Sequence, residues 1–232
     1  MNQIILGDCL EKMKDIADNT IDLIVTDPPY LMDYKTGYRK NKRSMVEHDF
    51  KSTIDGDNDF TLIEKFIEES YRLLKDNSAM YVFCNSLHVD YFKQSLEKHF
   101  DIKNQIIWVK NNWTAGDLEA SFGRQYEIIF LVNKGRKKIN GKRLTDIWQF
   151  DRISGDKQIH QNQKPIPLIR QCIEKHSNKG DLILDPFSGS GTTAIACIDT
   201  NRNYICIEKD KKYHDLMETR INNHKKQEVL FS

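Results

Sequence analysis

Short runs of β-branched and aromatic residues, each bounded by turn formers, recur along the chain. They are QIILGD (Gln3–Asp8), IDLIVTD (Ile21–Asp27), AMYVFCN (Ala79–Asn85), QIIWVK (Gln105–Lys110), YEIIFLVN (Tyr126–Asn133), DLILDP (Asp181–Pro186) and NYICIEKD (Asn203–Asp210). Runs this short and this continuously apolar predict seven strands buried on both faces. Between them apolar residues return every three or four positions. Such spacing predicts helices over TLIEKFIEESYRLL, HVDYFKQSLEKHF, PLIRQCIEKHS, TTAIACIDT and KKYHDLMETRINN. Strands alternating with helices imply an α/β domain with a mostly parallel sheet covered on both sides. No helical pattern separates QIIWVK from YEIIFLVN, so these two are expected to pair antiparallel at one edge. Residues 31–59 and 134–162 show no element of their own, and connections of that length in a domain are functional loops.

Composition narrows the picture. At 232 residues the chain suits one large domain, 1–232. The five cysteines are scattered and never spaced CxxC, which suggests neither a disulfide framework nor a zinc site and points to a reducing, cytoplasmic setting. No apolar run approaches the ~18 residues a membrane span needs, so no membrane association is expected. A formal net charge of +1 excludes a globally basic nucleic-acid binder and leaves local patches. Tyr34, Arg39, Lys40, Lys42 and Arg43 form one such patch, and Arg136, Lys137, Lys138, Lys142 and Arg143 form the other.

Two stretches carry chemistry. LILDPFSGSGTTAIA (Leu182–Ala196) runs from a strand through a small-residue turn into a helix. Gly189, Gly191 and Ala194 fit the G-x-G-x-x-G/A pattern, with Glu208 about 20 residues beyond the first glycine. The glycines let a ligand approach the backbone, and Glu208 is placed to accept two ribose hydroxyls. Asp185 at the strand end would repel a diphosphate and welcome a cation, which favours S-adenosylmethionine over a dinucleotide. TDPPY (Thr26–Tyr30) ends the second strand, and by the geometry of open sheets it lies on the same edge. Asp27 and the Pro28 carbonyl offer two acceptors, Pro28 and Pro29 stiffen the turn, and Tyr30 offers a flat ring. An exocyclic amino group of a nucleobase needs that set: two N–H acceptors and a stacking partner.

With DPPY at Asp27–Tyr30 preceding DPFSGSGTT at Asp185–Thr193, the chain resembles the amino-methyltransferases of DNA in their permuted, beta-class order. IIWVKNN, YEIIFLVNKG and HQNQKPIPLIRQCI are similar to that family too, so the likeness spans nearly the whole chain. The resemblance implies a Rossmann-like fold, with a seven-stranded sheet containing one antiparallel strand. It implies methyl transfer from S-adenosylmethionine to adenine N6 in double-stranded DNA after base flipping, with cytosine N4 the alternative because Asp27 stands where that branch favours serine. By the same likeness Asp8 lies near the cofactor adenine, while Asp185, Phe187, Gly189 and Gly191 cradle its methionine part. Glu208 holds the ribose, and Lys164 and Pro165 flank the pocket. Cys9, Pro186, Ser188, Ser190, Thr192 and Lys209 stand beside them, and Asp27 touches the cofactor as well. The loop after Tyr30 and a small segment at about 134–159 are expected to hold DNA, with a homodimer or a partner completing the grip and a cognate restriction endonuclease beside it.

Other classes fit less well. A cytosine-carbon methyltransferase needs a nucleophilic cysteine after proline, and no Pro-Cys pair exists. The seven histidines form no metal motif, so no metal is expected. A nicotinamide dehydrogenase, or a silent DNA-binding module, would leave DPPY unexplained.

Overall fold

The computed structural model describes residues 2–29, 60–113, 119–153 and 163–231. Along the chain the elements are β1 (Asn2–Leu6), α1 (Cys9–Met13), β2 (Ile21–Thr26), α2 (Phe60–Leu73), β3 (Leu74–Cys84), α3 (Val89–Glu97), β4 (Asp101–Val109), β5 (Tyr126–Lys134), β6 (Ile147–Gln149), α4 (Ile166–His176), β7 (Leu182–Asp185), α5 (Thr192–Asp199), β8 (Asn203–Glu208) and α6 (Lys211–Phe231). All seven expected strands form, in an eight-stranded sheet of order β1-β8-β7-β2-β3-β5-β4-β6. Only β5 runs against the others.

The eighth strand corrects the expected seven. β6 lies inside the segment read as a loop and pairs parallel to β4, with Trp108 opposite Trp148. It covers the edge that the β4–β5 pair would otherwise present, so β5 sits inside the sheet between β3 and β4.

The strand alternation decides which core each side chain joins. Leu23 and Val25 of β2, Tyr81 and Phe83 of β3 and Ile183 of β7 face α4, α5 and α6. Ile24, Met80, Val82 and Leu184 point the other way, against α1, α2 and α3. Both layers close over fully buried aromatic and aliphatic side chains, giving a three-layer sandwich whose five neighbouring parallel strands all end at one edge.

Candidate active site

That edge gathers the residues singled out above, in an order set by the sheet. Asp8 follows β1, Glu208 ends β8 with Lys209 next, Asp185 ends β7, and Asp27–Pro28–Pro29 follows β2. Tyr30 lies outside the described residues, as do Tyr34, Arg39, Lys40, Lys42 and Arg43.

The glycine turn after β7 is held from within. Asp185 is buried, and its Oδ1 accepts from the Thr26 hydroxyl at 2.9 Å and the Phe187 N–H at 3.2 Å, while Oδ2 accepts from the Thr193 hydroxyl at 2.6 Å. Burial pushes its pKa up to about 6 against the pull of those three hydrogen bonds. The carboxylate therefore ties β2, the turn and α5 together. The turn's backbone donors are also engaged internally. The Ser188 N–H donates to the Ile207 carbonyl at 3.0 Å, Gly189 to Glu208 Oε2 at 2.8 Å and Gly191 to the Ser188 carbonyl at 2.8 Å. A diphosphate would find these donors taken, where a phosphate-binding loop leaves them open.

Side chains of the turn point inward too. Ser188 Oγ donates to the Asp185 carbonyl at 2.6 Å, and Pro186 is buried. Ser190 and Thr192 are buried toward Arg220 of α6, whose Nη1 donates to the Ser190 carbonyl at 2.9 Å and reaches both hydroxyls at 3.2 Å. The hydroxyls of Ser188, Ser190 and Thr192 thus brace the turn. Arg220 gave no signal in the sequence, where a cation in a polar helix reads as solvated. Gly191 has φ 76°, and a Cβ there would stand 2.5 Å from Met217 Cγ, so only glycine fits.

Phe187, half-buried, sets its ring edge-on to Phe66 with centroids 5.2 Å apart, leaving an apolar wall beside the turn. Glu208 Oε2 accepts the Gly189 N–H and Oε1 accepts the Asp210 N–H, both at 2.8 Å. Burial raises its pKa against these two hydrogen bonds. Each oxygen retains a second lone pair for a hydroxyl donor. Asp8 caps α1 by accepting the Leu10 N–H at 3.0 Å, with Lys209 Nζ 3.9 Å from its other oxygen. Cys9 is a core residue, its thiol pushed up to about 12 by burial.

On the far side of the turn Asp27 meets Lys164. Lys164 Nζ donates to Asp27 Oδ2 at 2.5 Å and lies 3.1 Å from Glu127 Oε2, while Lys110 Nζ lies 2.5 Å from Glu127 Oε1. Burial alone would pull the Lys164 ammonium down, but Asp27 and Glu127 outweigh it and hold its pKa above the lysine range. Burial would likewise raise Glu127, and the two lysines overcome that to hold it well below the usual carboxylate range. Lys164, which the resemblance puts beside the cofactor pocket, grips the acid of the DPPY turn. Pro165 begins α4 directly behind it. Glu127 and Lys110 had been read only as strand ends, because nothing local marks them as partners.

The second basic patch lies toward the opposite edge of the sheet from Asp27. β5 runs away from the site, so Lys134 at its end sits beside Ser78 at the opposite edge. Lys134 Nζ donates there to the Tyr71 and Leu74 carbonyls, and the Arg136 N–H donates to Asn77 Oδ1 at 3.0 Å. Lys175, near the end of α4, holds the Asn140 and Lys142 carbonyls. Arg136, Lys137, Lys138 and Lys142 therefore lie roughly 20 Å of strand from Asp27, and Arg143 begins the return to β6. The edge that carries Asp27 is flanked instead by the segment joining β4 to β5, with exposed Trp113, Phe122, Arg124 and Tyr126.

Known proteins share this plan. A family model described as DNA methylase matches residues 21–219. The type II methyltransferase M.HinfI of Haemophilus influenzae is 32% identical over 95% of this chain and 68% of its own length. The DNA adenine methyltransferase YhdJ of Escherichia coli K12 is 28% identical over 90% of this chain and 79% of its own. The crystal structure of the M1.HpyAVI–SAM complex superposes with a TM-score of 0.70 at 27% identity, covering 95% of this chain and all of that one. With the family match spanning most of the sheet and both motif turns at its carboxyl edge, this chain belongs to the DNA methylase family.

Proposed function

We propose that this protein transfers a methyl group from S-adenosylmethionine to the 6-amino group of adenine in double-stranded DNA, acting on a base taken out of the stack. The observation that carries the reading is the convergence of Asp27 and the Pro28–Pro29 turn with a glycine turn whose Ser188, Gly189 and Gly191 N–H groups are engaged. A site with engaged donors, a ribose-ready carboxylate at Glu208 and an apolar wall at Phe187 fits a sulfonium nucleoside better than a dinucleotide. When bound, S-adenosylmethionine supplies a methyl group activated by a positively charged sulfur. Asp27 and the Pro28 carbonyl accept the two N–H bonds of the target amine, which frees its lone pair for in-line attack. As the N–C bond forms and the C–S bond breaks, the amine proton leaves by way of the Asp27 carboxylate. Extrusion of the base is required because an amino group inside a duplex cannot reach the turn. Tyr30 stacks on the extruded base, worth ~1–3 kcal/mol by the usual measure of such contacts.

Adenine is favoured because Asp27 occupies the turn and because the similar YhdJ is named an adenine methyltransferase. M.HinfI is named a type II methyltransferase, and by that likeness we place this chain with a restriction endonuclease of the same specificity, in the cytoplasm. A second copy of the chain is our proposal for how so short a recognition segment grips a duplex. The five cysteines are free and buried, as a reducing compartment allows.

The test is nucleoside mass spectrometry of sequence-diverse DNA incubated with protein and methyl-labelled S-adenosylmethionine. Labelled 6-methyladenine is expected from the wild type and at least ~100-fold less from Asp27→Ala, a general-base-sized loss, with cofactor affinity nearly unchanged. Labelled 4-methylcytosine would move the substrate, and normal turnover by Asp27→Ala would remove Asp27 from the mechanism.

A further inference from the structure

Four charges form a row beneath the DPPY turn, and the proposed reaction uses only the first of them. Asp27 stands at the end of β2, Lys164 just before α4, Glu127 at the start of β5 and Lys110 just past β4. Successive N–O distances are 2.5, 3.1 and 2.5 Å. The row rests on an aromatic floor. Lys164 Nζ lies 5.1 Å from the centre of the Phe83 ring and Lys110 Nζ 5.1 Å from that of Trp108, while the two rings meet edge to face at 6.4 Å. Rings from β3 and β4 thus fix both ammoniums from below. Carboxylates fix them from the side.

We propose that Glu127, with Lys110 behind it, is a positioning residue for the acceptor acid: by sharing Lys164 it aims the Asp27 carboxylate and keeps that ammonium from neutralising it alone. The inference rests on the amine-acceptor role given to Asp27. A lysine with one carboxylate partner closes into a neutral pair whose oxygens accept a further N–H weakly. Divided between two carboxylates, the same lysine orients Asp27 while leaving acceptor strength for the target amine. Lys110 then balances the second carboxylate, so that the four-member row carries no net charge and no member is left uncompensated. Other ionisable groups reach into this field. The Cys84 thiol, driven up mainly by burial, also feels Asp27 and Glu127, and Asp185 feels Asp27.

Glu127→Gln, Glu127→Asp and Lys110→Met are compared with wild type by single-turnover methylation across pH and by NMR titration of the Lys164 side chain without DNA. Expected for Glu127→Gln is a fall of at least ~10-fold in the transfer rate, with S-adenosylmethionine affinity within ~2-fold, since the residue acts on the acceptor side. One of the two negative charges that keep Lys164 protonated is gone while Asp27 remains, so the alkaline limb of the rate profile and the Lys164 titration both move to lower pH, by ~1 unit. Glu127→Asp restores part of the rate, and Lys110→Met loses less than Glu127→Gln. A merely structural Glu127 would change the melting temperature and leave the alkaline limb in place. A methylating wild type whose folded Glu127→Gln variant keeps rate and limb overturns the positioning role. A wild type that moves no methyl group to DNA, although Lys164 titrates as expected, overturns the reaction and supports the charge coupling. If Glu127→Gln does not fold, the charge-balanced Glu127→Gln/Lys110→Met chain carries the same comparison.

Discussion

At the scale of single residues, the glycine turn is the position where substitution has the clearest consequence. Gly191 combines a left-handed φ of 76° with a Cβ direction blocked by Met217 at 2.5 Å. Gly191→Ala therefore carries two penalties, backbone strain and overpacking, which together cost ~2–4 kcal/mol of stability. Urea denaturation should show a lower midpoint at unchanged slope. In a Met217→Ala background, which carries its own cavity cost, the clash is gone, so Gly191→Ala should cost less there than in wild type and keep only the strain part. No cost in that background would mean that the backbone there is not strained. The two glycines of this turn were legible in the sequence because their pattern is local. Lys164 against Asp27, separated by 137 positions, was not. That contact exists because β2 and the lead-in to α4 end at one edge, and only the sheet order supplies that fact.

At the scale of elements, continuous apolar runs placed seven strands and the 3.6-residue spacing placed five helices, because a strand buried on both faces reads as an unbroken apolar run and a helix marks its buried face. The misses are short. α1 spans five residues and β6 three, and neither is long enough to show a period. β6 is nonetheless anchored, with Trp148 buried and its Nε1 donating to the Thr145 carbonyl at 2.8 Å. α4 carries a prediction of its own. His176 at its end is buried against β3, with Nδ1 2.6 Å from the Tyr81 hydroxyl. Burial first, then the charges of Lys137 and Lys175, lowers the imidazole to about 4 from its usual 6.5. Burial drives the Tyr81 phenol well up, so the phenol donates and the neutral ring accepts at Nδ1. A folded pKa below the unfolded one means that the unfolded chain binds the proton first. The His176 contribution is therefore complete above pH ~6.5 and is lost as pH falls toward ~4, by ~2–3 kcal/mol at most. Asp185, raised to about 6, has the opposite sign in an overlapping window, its cost growing as pH rises. The His176 effect is accordingly read as a difference: stability measured from pH 7 to 4 should fall more in wild type than in His176→Gln. Parallel curves would show that the histidine does not titrate there.

At the scale of the whole molecule, a net charge of +1 makes the placement of each basic cluster decide where DNA lies. Arg136, Lys137 and Lys138 look like a phosphate grip in sequence, yet β5 delivers them to the edge opposite Asp27, and Lys137 acts electrically on His176 at the end of α4. At roughly 20 Å from the site along the sheet, their field is about two Debye lengths away at 0.1 M salt and is largely screened there. On the proposed reaction, a duplex with its target base at Asp27 is expected to meet instead the β4–β5 segment, with Trp113 67% and Phe122 99% exposed and Arg124 between Phe122 and Tyr126. Aromatic side chains beside a cation suit a strand with an extruded base, because rings stack on bases while arginine holds phosphate. Charge removal should therefore separate the two faces. Arg136→Ala/Lys137→Ala/Lys138→Ala should leave DNA affinity within ~2-fold and its dependence on salt unchanged. Arg124→Ala should weaken binding and reduce the slope of log K against log salt by ~1, the value of one released counterion. Trp113→Ala should weaken binding with the slope intact, since stacking releases no ion. Fluorescence anisotropy of a labelled duplex at several salt concentrations measures all three. A reduced slope in the triple variant alone would mean that DNA reaches around to the far edge, and that the chain holds its substrate along two faces of the sheet.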